Sequence, residues 1–321
     1  MPDSISALRQ LGIELPAALG FPFEGIRFSN GHSCVYASFS SGKGRGVRRT
    51  ALHELLIQHA ENERVSLVWG AKDVELHERG ILLNGKLMLA DFVIGADGQN
   101  SRVRRQAGLS AVTKERRRYG FRRHFRMAPW SPCVELHWGP NCQVYITPVA
   151  PDEVCVALIS SDPGLRLNQA LASFAELRER LAAATPVTSE MGAVTVSRSL
   201  SRVTTQSVAL AGDASGSVDA ITGQGMCLAF EQALALADAL SHGCIETYDA
   251  RHRELMKRPQ RMASLLRTLA RHRVLERRAL AGLARCPEMF EALVGIHVGA
   301  SPPSKLCSWG LLDFGVAFLA A

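Results

Sequence analysis

Two short apolar runs in this chain each end in a turn that carries an aspartate and glycines. Residues 208–226 (VALAGDASGSVDAITGQGM) read as a buried strand, a tight turn presenting Asp213, and a loop, Gly223-Gln224-Gly225, that opens a helix over 227–240. Residues 90–104 (ADFVIGADGQNSRVR) read as a strand at 92–94, a turn with Asp97 and Gly98, and the start of a basic segment. A helix N-terminus offers partial positive charge and free N–H groups. One carboxylate beside it suits a ligand with a hydroxylated chain and an electron-poor ring. A third candidate, Arg49, opens an amphipathic helix on which Leu52, Leu55, Leu56 and Ala60 share a face. Taken singly, each run is also an ordinary strand–turn–helix of an α/β domain, and Arg49 an ordinary solvated arginine.

Together, and in this order, the runs resemble the flavoprotein monooxygenase and geranylgeranyl-reductase superfamily. Residues 208–226 resemble its second FAD-binding motif, and residues 95–104 its Gly-Ala-Asp-Gly-x-x-Ser-x-Val-Arg motif. The pattern Arg49-x-x-Leu52-x-x-x-Leu56 resembles a third family helix. The resemblance implies FAD as cofactor and NAD(P)H as electron donor. It places Gly212 and Asp213 at the ribityl or ribose-phosphate side, and Asp97, Gly98 and Arg49 near the pyrophosphate. Backbone N–H groups of Gly223, Gln224, Gly225 and Met226 would stabilise negative charge on the reduced flavin.

The family opens with a strand, Gly-x-Gly-x-x-Gly, a helix and a second strand, which bind the ADP half of FAD. No such pattern occurs here. Residues 42–46 (GKGRG) read as a surface turn. Residues 1–12 resemble the family segment just after the absent unit, so the expectation is an N-terminal truncation of roughly fifty residues. A degenerate gene and a miscalled start are the alternatives, and an inactive fragment that binds no cofactor is the corresponding functional one.

Composition sets the bounds. A chain of 321 residues with 47% hydrophobic content and a net charge of +7 can bury a large core. The basic residues are spread out, which fits anionic cofactors or substrates and argues against nucleic acid. Eight cysteines without Cys-x-x-Cys spacing read as reduced, mostly buried thiols of a cytoplasmic protein. His53-Glu54 lacks the second histidine of a zinc motif, and no Gly-x-Ser-x-Gly elbow occurs. No run is long enough for a membrane span. The apolar tail at 309–321 reads as a helix docked on the body, with a peripheral membrane contact as the alternative.

The expected fold is α/β, a glutathione-reductase-type FAD-binding domain, N-terminally truncated, with an antiparallel-sheet substrate domain and a helical C-terminal tail. Residues 1–110 and 200–240 form the FAD-binding domain, 111–199 the substrate domain, and 241–321 the extension. Within these, Asn30-Gly31 and Asn84-Gly85 predict hairpins, 65–69 and 74–77 strands, and 167–183 one helix. The extension is expected to kink or break at Pro259, with a solvated arginine-rich face. Candidate proton-transfer groups are His124, His137 and Tyr145, each also explicable as packing. Lys114, Arg116, Arg117, Arg118, Arg122, Arg123 and Arg126 read as solvent-facing strand positions before a nucleotide patch. Gly216 stands where hydroxylating members usually carry histidine, and with Asp219 it is more similar to the reductase branch, whereas Gln224 is similar to the hydroxylases. The function implied is an FAD-dependent oxidoreductase, monooxygenase-like, acting on a small apolar, aromatic or isoprenoid substrate. A flavin-dependent C=C reductase is the alternative.

Overall fold

The computed structural model describes residues 1–306 and 309–319, with the side chains of 112–114 and 309–312 left aside. Cys307, Lys114 and Trp309 therefore lie outside what is described of side chains. The molecule is mixed α/β. Its largest sheet has eight strands. Strands Val112–Arg126, Glu153–Ser160, Cys142–Ala150 and Cys133–Gly139 are antiparallel neighbours, and Met191–Leu200 pairs along the outer edge of Val112–Arg126.

The predicted Asn30-Gly31 hairpin forms, with Gly25–Ser29 against Cys34–Ser38. Its strands pair with neither Val93–Gly95 nor Val208–Leu210, although the sequence grouped residues 1–110 and 200–240 together. Gly25–Ser29 runs parallel to Cys133–Gly139 and extends the large sheet. The reason is burial: Val35 and Ala37 pack against Phe290 and Val294 from the C-terminal helices.

One face of this sheet is closed by helices Leu167–Leu171 and Ala175–Ala182, which bury Leu167, Leu177 and Leu181 on Val144, Val156 and Leu158. The single helix expected over 167–183 is broken because Phe174 turns inward, beneath Gly139. At Gly139 any Cβ would lie 2.3 Å from that ring.

The second layer carries both aspartate turns. Val93–Gly95 and Val208–Leu210 form a two-stranded parallel sheet, backed by helix Gly225–Ser241 through Leu210, Leu236 and Ala239. The predicted strand at 65–69 is absent. Val65, Val68 and Trp69 are exposed in irregular backbone, so no ladder or core fixes them. Residues Gly44–Gly46, expected as a surface turn, instead pair with Phe21–Phe23.

Helices Thr247–Arg271, Arg273–Arg285 and Pro287–His297 follow. Pro259 does not break the first of them. Its ring is buried in the helix, and the chain turns at His272 instead. The tail helix Trp309–Leu319 docks on Arg273–Arg285, with Phe314 against Gly282. No helix among the described residues is long and apolar enough to cross a membrane.

A buried polar network staples the hairpin to the sheet. Glu135, 1% exposed, accepts from Arg27 (3.0 Å), His137 (2.8 Å) and Trp130 (3.3 Å). Burial alone would push this carboxyl up. The hydrogen bond from His137 and the charge of Arg27 outweigh it and hold the pKa at about 2. Glu135→Ala strands a guanidinium and an imidazole without their acceptor. We expect a stability loss of about 3 kcal/mol, read as a lower urea midpoint at unchanged slope. A loss under about 1 kcal/mol would remove the network from the fold's support.

Candidate functional site

The two parallel strands deliver their turns to the same edge. Gly95 pairs with Leu210, and the Ala211 N–H donates to the Gly95 carbonyl (3.0 Å). Asp97–Gly98 and Gly212–Asp213 therefore leave side by side, at the carboxyl ends of the strands, where open α/β sheets bind ligands. Arg104 ties them together. Its guanidinium donates to the carbonyls of Ala214 (2.9 Å) and Gln99 (2.8 Å).

Asp97 caps the short helix behind it, accepting from the N–H groups of Arg102 (2.6 Å) and Val103 (3.2 Å). Burial raises its pKa and these bonds, with that of Ser101, more than reverse the shift. Gly98 has φ +78, and a Cβ there meets nothing within 4 Å. Asp213 is solvent-exposed. The surrounding protein still raises its pKa, opposed by the charge of Arg49. That opposition brings Arg49, at the start of helix Arg49–Asn62, into electrostatic reach of Asp213.

Gly223, at φ +64, turns the chain into helix Gly225–Ser241. No side chain caps that helix, so its first-turn N–H groups face outward at the positive end of the dipole. At Gly225 a Cβ again meets nothing within 4 Å. The Gln224 side chain turns the other way. Buried to 1%, it donates to Asp3 (3.1 Å) and to the His297 carbonyl (3.3 Å). Its contribution at the loop is thus its backbone. Open space over Gly98 and Gly225, an exposed carboxylate beside an arginine, and an uncapped 17-residue helix fit a polyhydroxylated, ring-bearing anion such as a flavin nucleotide.

The opposite side of the Gly223 turn faces an apolar cavity of about 320 Å3. Ile221, Gly223 and Met226 form its floor, Phe28 and Leu136 one wall, and Met262, Leu266 and Phe290 the other. Tyr145 lines it with its hydroxyl spent on the Ile221 carbonyl (2.6 Å). His137 bonds Glu135 through Nε2 and His124 bonds Glu153 through Nδ1, and neither is among the residues that line this cavity. A larger polar cleft, about 740 Å3, between the first helix and Thr247–Arg271 touches none of the motif residues.

The sequence missed the far wall. Helix Thr247–Arg271 buries Tyr248, His252, Met256, Pro259, Ala263 and Leu266 at steps of three or four residues. That stripe was legible beneath the arginines. His297 had no such signal. It lines the cavity, is 8% exposed, donates from Nε2 to the Thr222 carbonyl (3.0 Å), and keeps Nδ1 buried without a partner.

A family model described as an FAD binding domain matches residues 45–255. No curated protein matches the chain. Among solved structures the fold resembles a flavoprotein/dehydrogenase from Cytophaga hutchinsonii, at TM-score 0.76 and 16% identity over 99% of this chain and 86% of that one. It resembles Klebsiella pneumoniae HpxO, solved with FAD and uric acid, at TM-score 0.73 and 17% identity over 94% and 87%. It also resembles CmlS, a flavin-dependent halogenase, at TM-score 0.70 and 18% identity, covering 95% of this chain and 58% of the halogenase.

Proposed function

From the premise that the chain belongs to the FAD-binding-domain family, we propose an NAD(P)H-driven, monooxygenase-like oxidoreductase that acts on a small apolar substrate. The observation that carries this reading is the shared turn: residues 221–226 floor the apolar cavity on one side and open the uncapped helix on the other. Bound FAD supplies the two-electron chemistry. The chain supplies the rest. Asp213 accepts from cofactor hydroxyls, Arg49 and the Asp97–Gly98 turn face the phosphate side, and amides of Gly223, Gln224, Gly225 and Met226 stabilise negative charge on the ring. In this reading residues 1–110 and 200–240 hold the cofactor, with the 25–38 hairpin lent to the substrate-side sheet of 111–199.

Phe28, Leu136 and Leu266 exclude water from the substrate. Burial draws the His297 pKa down to about 4, so the ring is neutral, with Nδ1 ready to accept from a substrate hydroxyl or N–H. Arg45 also reaches the lining, with Nη1 donating to the carbonyls of Pro16, Ala17 and Leu19, and the remaining walls are largely apolar, which favours phenols, aromatic amines or isoprenoid alcohols as substrates.

One observation favours C=C reduction as a second reading. Gly216 sits at φ +112, and a Cβ there would lie 2.7 Å from the Arg198 carbonyl, so no histidine fits where hydroxylases usually carry one. Oxygen consumption coupled to substrate separates the two, since reduction proceeds anaerobically.

The deciding measurement is flavin absorbance of the purified chain after FAD reconstitution, beside Asp213→Ala. We expect the variant to bind FAD at least about tenfold more weakly, the low end for one hydrogen bond to a charged group. Equal occupancy would take Asp213 out of the site, and no flavin in the parent would sink the whole reading.

A further inference from the structure

We propose that a second cavity, lined by arginines and set behind the Asp219 turn, seats a phosphate-bearing small molecule. It measures about 590 Å3. Arg116, Arg117 and Arg118 reach it from strand Val112–Arg126, and Arg267 and Arg271 from helix Thr247–Arg271. Among its described lining residues the acids are Asp162 and Asp219, a lining charge of five minus two, or +3, with Glu115 3.6 Å from Arg117 outside the lining.

The pairing inside is incomplete. Asp219 is 2% exposed and gives Oδ1 to the Ile221 N–H (3.1 Å). Its Oδ2 lies 3.9 Å from both Arg118 Nη1 and Arg267 Nη1 and makes no hydrogen bond, since that separation is too long for one. Arg118, 8% exposed, donates Nη2 to Gln143 (2.5 Å). The Nε groups of Arg118 and Arg267 are buried without a partner among the described residues. Asp162 is exposed and spends Oδ1 on the Gly164 N–H (2.7 Å). Burial first, then the charges of Arg116, Arg271 and Arg118, hold Arg267 below the usual arginine pKa, with Asp219 opposing.

Buried donors without acceptors are costly. Guanidinium forks match the oxygens of phosphate in geometry. A surplus of about two positive charges after the Arg117–Glu115 pair suits a phosphomonoester or a pyrophosphate better than a monocarboxylate. The Asp219 turn is also the wall shared with the apolar cavity, where Ile221 and Thr222 face the other way. A phosphate here would anchor its molecule within one turn of the Gly223–Met226 loop. Two sources share this chemistry, a pyridine nucleotide and free phosphate or pyrophosphate. Only the nucleotide arm rests on the function proposed above.

The test is calorimetric titration of the full chain, with and without FAD, by pyrophosphate, NADP+ and NAD+. Arg116→Gln/Arg271→Gln, both exposed in the parent, and Arg267→Gln are compared, with circular dichroism to confirm folding. Saturable binding of at least one probe is expected, weakened at least about tenfold in each variant. Pyrophosphate alone marks free phosphate as the source, NADP+ without NAD+ a nucleotide 2′-phosphate, and both nucleotides their pyrophosphate. Binding that persists without FAD supports this cavity even if the oxidoreductase reading fails. Absence of saturable binding, or equal affinity in the folded variants, would overturn it.

Discussion

Acidification from pH 7 to pH 4 is expected to remove on the order of 6 kcal/mol of stability, through two buried histidines on the C-terminal helices that hydrogen-bond to the 212–223 segment. His252 is 6% exposed, with Nε2 2.9 Å from the Ser215 hydroxyl, which itself donates to the Gly212 carbonyl (2.8 Å). His297 donates to the Thr222 carbonyl. Burial draws each pKa from 6.5 down to about 4. For His252 the charge of Asp249 opposes the shift and Arg253 adds to it. For His297 Asp3 opposes it and Arg258 adds to it.

The sign follows from linkage. Below pH 6.5 the unfolded chain binds protons that the folded chain refuses, so stability is full above pH 6.5 and falls until pH 4 is passed. Each histidine contributes about 3 kcal/mol at 1.36 kcal/mol per pH unit. That loss compares with a total of about 5–15 kcal/mol for a typical domain. Glu135, at about 2, adds its own loss only below pH 4.5, so the windows separate. Urea midpoints between pH 7.5 and 4.5 give the profile. His252→Gln/His297→Gln should flatten it. A flat profile in the parent, or an unchanged one in the double variant, would show that these rings do not carry the pH dependence.

What could be read from the sequence divides along a physical line. Short-range signals came through. Asn84 and Gly85, at φ +49 and +77, make the predicted turn, and Gly212 and Gly223, at φ +59 and +64, lie in the turn and the loop read from their glycines. The family was legible because its motifs are turns, and turn geometry is written in glycines.

Long-range placement was not. Nothing near Asn30 says that its hairpin joins a strand more than a hundred residues away, since that pairing is decided by Phe290 and Val294 arriving from the far end of the chain. Val65 to Trp69 has strand-like residues but no partner to ladder with, and β-propensity without packing does not make a strand. Pro259 stays inside a long helix because tertiary packing overrides the lost bond. His297 and Asp219 matter through what they face, which no local pattern encodes.

Two glycines should separate fold from function. At Gly46 an added Cβ would lie 1.8 Å from the Pro148 carbonyl oxygen, backbone against backbone. Neither side can rotate away, so Gly46→Ala must push Gly44–Gly46 off strand Cys142–Ala150, and we expect a loss of about 3 kcal/mol or more. At Gly225 the same Cβ meets nothing within 4 Å. Gly225→Ala should leave stability unchanged or slightly raised, because alanine favours the helix. Gly225→Glu should also be tolerated, since a carboxylate near a helix N-terminus contributes about 0.3–1 kcal/mol. Yet that carboxylate projects into the space assigned to the flavin ring and competes for the same amides. Burying it against the cofactor costs several kcal/mol, so FAD affinity should fall by about 100-fold or more. Thermal unfolding of all three variants, and flavin fluorescence quenching of the two at Gly225, decide the matter. A folded Gly225→Glu chain that binds FAD as the parent does would place the flavin ring somewhere other than the N-terminus of helix Gly225–Ser241.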